Sequence, residues 1–185
     1  MREYFSVPNL LSYFRLILIP VYLVVYFSAR EPGDYLYAAL VIALSGLTDM
    51  FDGKIARRFN MITEWGKFID PVADKLTMGA VALSLAFRFP LMGFVFALYV
   101  VKEGFMLVMG FIMLRHGSKL DGAMWYGKVC TAVTYAVIFA LLLFQDLPGW
   151  AQTALICVQI AVTLLSFALY ARYYHGAWKR VKKSA

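Results

Sequence analysis

Residues 49–74 read DMFDGKIARRFNMITEWGKFIDPVAD, and they place Asp49, Asp52, Asp70 and Asp74 in a chain that otherwise reads as membrane. The apolar fraction is 62% and the mean hydropathy is +0.70, well above the range of soluble domains. A carboxylate beside lipid costs several kcal/mol unless it is paired, solvated or bound to a metal. Four of them in one short stretch need a compensating charge. The simplest compensation is a divalent cation site, and such a site at a membrane points to phosphoryl chemistry.

On either side of this stretch the apolar runs are too long and too many for a single signal peptide. A span takes about 20 mostly apolar residues. The sequence predicts six, at 10–28, 35–55, 65–87, 91–114, 123–144 and 150–170. No alternating strand pattern appears, so closed backbone hydrogen bonding favours helices. The expected fold is all-α, a single membrane domain over residues 1–185. Turn signals fall between the runs, at Glu31-Pro32-Gly33, Phe89-Pro90, His116-Gly117-Ser118 and Leu147-Pro148-Gly149. Pro8 and Asn9 suit the start of the first helix, after a short interfacial segment at 2–7. Glycines inside the runs, among them Gly46, Gly104 and Gly127, suit close helix approach.

Charge placement sets the orientation. Lys54, Arg57, Arg58, Lys67, Arg115, Lys119 and the tail Lys179, Arg180, Lys182 and Lys183 all fall on one side of the six spans. The positive-inside rule puts that side, with both termini, in the cytoplasm. The net charge of +7 is then a membrane-surface feature and not a nucleic-acid footprint. Cys130 and Cys157 have no Cys or His partner at metal-ligand spacing and read as buried free thiols. His116 and His175 read as interfacial surface residues.

Asp49 and Asp52 share a helix face, as do Asp70 and Asp74. A short loop between the second and third spans makes those helices antiparallel neighbours. All four carboxylates are then expected to converge near the cytoplasmic surface. Hard oxygen ligands select Mg²⁺, Mn²⁺ or Ca²⁺ over zinc. Two ions balance four carboxylates better than one and suit displacement at phosphorus. Gly53 and Gly66 remove side chains where a substrate approaches closely, and Ala56 keeps the same face open. Arg57 offers a planar fork for phosphate oxygens. A nucleotide diphosphate fits such a site. The bland alternative makes each acidic pair a solvated helix end, with Asp74 paired to Lys67 or Lys75; nine specified positions at fixed spacing argue against it.

The frame Asp49-x₂-Asp52-Gly53-x₂-Ala56-Arg57-x₈-Gly66-x₃-Asp70-x₃-Asp74 resembles the signature of the CDP-alcohol phosphatidyltransferase family at every specified position. The opening run Pro8-Asn9-Leu10-Leu11-Ser12-Tyr13-Phe14-Arg15 is similar to that of bacterial members making anionic phospholipids. The resemblance implies that Asp49, Asp52, Asp70 and Asp74 hold two Mg²⁺ or Mn²⁺ ions. It implies that Asp74 is also the general base, and that Gly53, Ala56, Arg57 and Gly66 line the CDP pocket. The implied reaction is attack of an alcohol on the β-phosphate of CDP-diacylglycerol with release of CMP. The family also implies a homodimer in a bacterial inner membrane.

The acceptor is read from the second half. Phosphatidylglycerophosphate synthases of the family commonly carry an Arg-Glu pair after the third span and a second Arg two turns later. Here those positions hold Lys102-Glu103 and Gly110. Arg115, Lys119 and Lys128 are the candidate ligands of an acceptor phosphate, expected near the cytoplasmic mouth of the aspartate site. Glycerol-3-phosphate is the preferred acceptor. The missing Arg favours the alternative, a CMP-forming cardiolipin synthase that uses phosphatidylglycerol. Lys102 and Glu103 also read as an ion pair that only steadies the fourth helix. A small cation transporter is the remaining reading; it predicts acids scattered near the bilayer midplane, not clustered at one end.

Overall fold

The computed structural model describes residues 6–59, 61, 63–116 and 124–184, and its described elements are helical. They are α1 (Val7–Ser28), a 3₁₀ turn (Pro32–Asp34), α2 (Tyr35–Arg58), α3 (Glu64–Arg88), α4 (Pro90–Arg115), α5 (Trp125–Leu143) and α6 (Gly149–Ser184). Five stretches among the described residues are long and apolar enough to cross a membrane: Val7–Ser28, Pro32–Ala56, Pro90–Arg115, Trp125–Leu143 and Gly149–Arg180. The remaining expected span, 65–87, corresponds to α3, a helix of 25 residues. Asp70, Asp74 and Lys75 near its start and Arg88 at its end break its apolar run.

The helices present large apolar side chains outward and bury several polar ones within a largely apolar interior. On α1 the buried stripe is Pro8, Asn9, Ser12, Arg15, Leu18, Tyr22 and Tyr26. Its exposed side carries Leu10, Phe14, Ile17, Val21 and Val24. A soluble helix would present the reverse pattern. Lipid is the solvent that makes this arrangement favourable, since it welcomes the apolar face and rejects the polar one.

The chain divides into two compact units, Met1–Arg88 with Leu142–Gln145, and Phe89–Leu141 with Asp146–Ala185. In the first unit, α1 packs against both α2 and α3. Among the described residues the contact of α1 with each of them is more extensive than that between α2 and α3, and residues of all three helices line one small void. Near its start, α1 brings Arg15 to Asp49 and Asp52 of α2 and Ser12 to Asp70 of α3. Ala38, Ala39 and Ala73 are buried and allow close packing. Further along α1, the Tyr22 hydroxyl meets Ser84 Oγ at 2.8 Å. Asp34 caps the chain before α2 by accepting the N–H groups of Arg30 and Glu31 at 2.9 and 3.0 Å.

In the second unit α4 packs on α6. Buried Met113, Tyr170 and Tyr174 form a cluster with Phe105, Met109, Tyr126 and Trp178 around it. Gln159 Nε2 on α6 donates to Thr134 Oγ1 on α5 at 2.7 Å. A Cβ at Gly127 would lie 2.3 Å from the Tyr170 hydroxyl, so that glycine does allow close approach. Nothing lies within 4 Å of such an atom at Gly46 or Gly104, so those two do not. Of the two thiols Cys130 is buried, whereas Cys157 is exposed because it falls on the outward side of α6. His116 and His175 are exposed, as expected. α6 continues past the expected end at residue 170 to Ser184, a length of 36 residues. No proline interrupts that tail, and its Arg and Lys residues are good helix formers. Most of the expected interfacial segment at 2–7 lies outside the described residues.

Candidate active site

On α2 the residues Asp49, Asp52, Gly53 and Ala56 are spaced i, i+3, i+4, i+7 and form one face. On α3 the residues Gly66, Asp70 and Asp74 are spaced i, i+4, i+8 and do the same. Thr63 starts α3: its Oγ1 accepts the Gly66 N–H at 2.9 Å, in the manner of an N-cap. At the other end of the loop, the Ala56 carbonyl accepts the Met61 N–H at 2.9 Å and closes α2.

The centre of the site is a residue of α1. Arg15 is 1% exposed. Its Nη2 donates to Asp52 Oδ2, and its Nη1 forms an ion pair with Asp49 Oδ1 at 2.5 Å. Among the described residues Nε has no hydrogen-bond partner. One turn earlier Ser12 Oγ donates to Asp70 Oδ1. One turn before that, the Asn9 amide meets the Thr63 hydroxyl at 3.1 Å. Asp52 is buried, and it lies within electrostatic reach of both Asp49 and Asp70. It also accepts the Gly53 backbone N–H. Three of the four carboxylates are thus gathered by α1.

The donor set suits a hard divalent cation, because it consists of carboxylates. Among the described residues, however, no three acidic, His or Cys side chains already share one point that would hold an ion. The fit is therefore one of donor type and location. Asp74 is half-buried on the same α3 face as Asp70. The side chain of Arg57 lies outside what is described.

Gly66 has an explanation other than the expected one. A Cβ there would lie 2.7 Å from Asn9 Oδ1 and 3.0 Å from Thr63 Oγ1. Its missing side chain makes room for α1. Sequence alone assigns Asn9 only to the start of the first helix and gives Ser12 and Arg15 no part in the site. The signal was an arginine inside an apolar run, which requires an acidic partner, with polar residues one and two turns before it.

The second unit contains an open cavity of about 440 Å³ lined by Lys102, Glu103, Gly127, Lys128, Thr131 and Tyr135, among others. Lys102 Nζ donates to Glu103 Oε1 at 2.8 Å, and Lys102 is buried. Lys128 is exposed at the start of α5. Of the three expected acceptor ligands, Lys128 lines this cavity. The Arg115 guanidinium stands 4.5 Å above the ring of Phe111, at the end of α4. Lys119 lies outside the described residues.

Comparison with known proteins gives the same reading. A family model described as CDP-alcohol phosphatidyltransferase matches residues 5–165. The chain is 36% identical over 148 residues to a cardiolipin synthase (CMP-forming) of Streptomyces coelicolor, covering 78% of this chain and 68% of that protein. It is 34% identical over 171 residues to a CDP-diacylglycerol–glycerol-3-phosphate 3-phosphatidyltransferase of Salmonella typhimurium, covering 90% of this chain and 93% of that one. It is 31% identical over 163 residues to a probable phosphatidylglycerophosphate synthase of Mycobacterium tuberculosis, covering 87% and 76%.

Proposed function

Because this chain belongs to the CDP-alcohol phosphatidyltransferase family, we propose that it transfers the phosphatidyl group of CDP-diacylglycerol to glycerol-3-phosphate and releases CMP. The observation that carries the choice of acceptor is the near end-to-end match with a relative named for that reaction, over 90% of this chain and 93% of the relative. The acidic frame on α2 and α3 supports the reaction class. The family match runs through both compact units, which supports one functional domain.

In this reading Asp49, Asp52, Asp70 and Asp74 hold the cations, two Mg²⁺ or Mn²⁺ ions. When bound, these supply positive charge to the diphosphate and stabilise the departing CMP. Gly53 and Ala56 leave the α2 face open for the nucleotide, and Arg57 pairs with phosphate oxygens. Asp74 takes the proton from the acceptor hydroxyl as its oxygen bonds to the β-phosphorus. The bond from that phosphorus to the bridging oxygen breaks, and CMP carries away the electron pair. Arg115, Lys119 and Lys128 supply positive charge for the acceptor phosphate. α3 is the sixth crossing, both termini face the cytoplasm, and the protein works as a homodimer in a bacterial inner membrane.

The second reading is cardiolipin synthesis with phosphatidylglycerol as acceptor. Two observations favour it. One is the Streptomyces relative. The other is the pairing of Lys102 with Glu103, which reduces the charge offered to a phosphate monoester.

An acceptor panel separates the two. Purified protein is given CDP-diacylglycerol, Mg²⁺ or Mn²⁺, and in turn glycerol-3-phosphate, phosphatidylglycerol, inositol phosphate or serine. Lipid products are read by mass. The expected product is phosphatidylglycerophosphate, formed with CMP, abolished by EDTA and restored by either cation. Cardiolipin from phosphatidylglycerol, with no product from glycerol-3-phosphate, would replace the first reading by the second. Full turnover in chelator would reject the cation site. Absence of CMP release with every acceptor would reject the enzyme.

A further inference from the structure

We propose that the polar edge of α1, formed by Asn9, Ser12 and Arg15, is a positioning element that aligns the acidic frame for a divalent cation. Arg15 sets Asp49 and Asp52, and Ser12 sets Asp70. The inference rests on the reading of the aspartates as cation ligands.

Four observations carry it. First, the three side chains stand one turn apart, and each meets a different part of the frame. Asn9 meets the Thr63 cap of α3, Ser12 meets Asp70, and Arg15 meets Asp49 and Asp52. Second, all three are at most 1% exposed in a helix apolar enough to cross a membrane. Polar groups at such depth are costly unless they have partners, and these have the motif residues as partners.

Third, α1 packs on both α2 and α3, while contact between α2 and α3 is minor among the described residues. The distance between the two acidic pairs is therefore set through α1. Fourth, each contact uses one carboxylate oxygen. Arg15 engages Oδ1 of Asp49 and Oδ2 of Asp52, and Ser12 engages Oδ1 of Asp70. A carboxylate has two oxygens, so a contact at one of them does not by itself prevent the other from meeting a cation. Carboxylates that bind metals are commonly held in this way from behind, and loss of the supporting group typically costs 10–100-fold in metal affinity.

A structural role alone would give a different outcome, and α1 supplies the control. The Tyr22–Ser84 hydrogen bond is buried on the same helix, away from the aspartates. Mn²⁺ binding is measured by EPR titration of the detergent-purified chain without CDP-diacylglycerol. Thermal stability is recorded alongside, together with the Mn²⁺ concentration for half-maximal CMP release. Arg15→Gln should weaken Mn²⁺ binding about 10–100-fold and raise the half-maximal concentration to match. Arg15→Lys should recover part of the loss, because one ammonium can serve one carboxylate but lacks the fork for two. Ser12→Ala should give a smaller shift in the same direction. Tyr22→Phe should lower thermal stability without moving Mn²⁺ affinity.

Wild-type Mn²⁺ affinity in both Arg15→Gln and Ser12→Ala would overturn the proposal, as would an equal loss of affinity in Tyr22→Phe. If Arg15→Gln does not fold, Arg15→Lys and Ser12→Ala decide by the same criterion. A wild-type protein that neither binds Mn²⁺ nor releases CMP would instead reject the cation reading of the aspartates, and the proposal with it.

Discussion

Asp74 carries the acid–base part of the proposed reaction, and it is the position where binding and chemistry can be separated. Asp74→Asn keeps the size of the side chain but removes its basicity. CDP-diacylglycerol should still bind, while turnover should fall by roughly 10²-fold or more, the scale of general-base loss. Equilibrium binding measured beside initial rates checks this; near-normal turnover would assign the base elsewhere. Asp49→Asn, by contrast, should weaken cation and nucleotide binding together. The neighbouring residues show how far single positions were legible. The spacing of Asp49, Asp52, Asp70 and Asp74 announced an acidic site without any structure. Gly66 was legible as a required glycine, but its reason was not, because the atom that fills its space belongs to Asn9, distant in the chain. Cys157 was read as buried because its neighbours are apolar. In a membrane protein apolar neighbours do not indicate burial, since the outward face is the more apolar one.

Helices of this chain are held together by local features that their own sequences only partly disclose. α5 approaches α6 at Gly127, where the Tyr170 hydroxyl occupies the place of a side chain. Tyr126 and Tyr170 stack edge to face beside it, with ring centroids 4.6 Å apart. Gly127→Ala should therefore overpack this contact and destabilise the fold by about 1–3 kcal/mol. Tyr170→Phe removes the oxygen that would clash. The double variant should then be more stable than Gly127→Ala alone, as read by thermal unfolding in detergent. Equal or lower stability of the double variant would show that the backbone, and not the hydroxyl, sets the spacing. α6 illustrates a different limit. Hydropathy marked where its apolar run stops, but the helix runs on through basic residues that propensity alone would keep helical. At about 1.5 Å per residue its 36 residues span about 54 Å, well beyond a hydrocarbon core of about 30 Å.

Burial across the chain follows a membrane logic. Residues such as Ile17, Val24, Leu107 and Leu165 are more than half exposed, while Arg15, Ser12 and Asn9 are enclosed. Five stretches satisfy the length and hydropathy of a span, and α3 has the length but carries the acidic motif at one end. If α3 crosses as proposed, the number of crossings is even and the termini share a side. Tags at the two termini should both report the cytoplasm, and a probe beside Gly33, in the turn before α2, should report the opposite side. Labelling of the termini from opposite sides would refute the crossing of α3. The clustering of acids at one end of two helices, with an arginine between them, also differs from the scattered midplane acids of a transport path.

The sequence alone determined the helical class, the approximate limits of the helices, the acidic frame and the family it resembles. These depend on quantities local in the chain: hydropathy over about 20 residues, and side-chain spacing on one helix face. Tertiary structure decided which helices meet. A short loop keeps α2 and α3 close, but it does not disclose that α1 lies against both. Loop length limits how far apart two helices can be, but it does not determine which surfaces are favourable in contact. Tertiary structure also placed Arg15 against Asp49 and Asp52. Its partners are distant in sequence, and only folding brings the guanidinium to the carboxylates that need it.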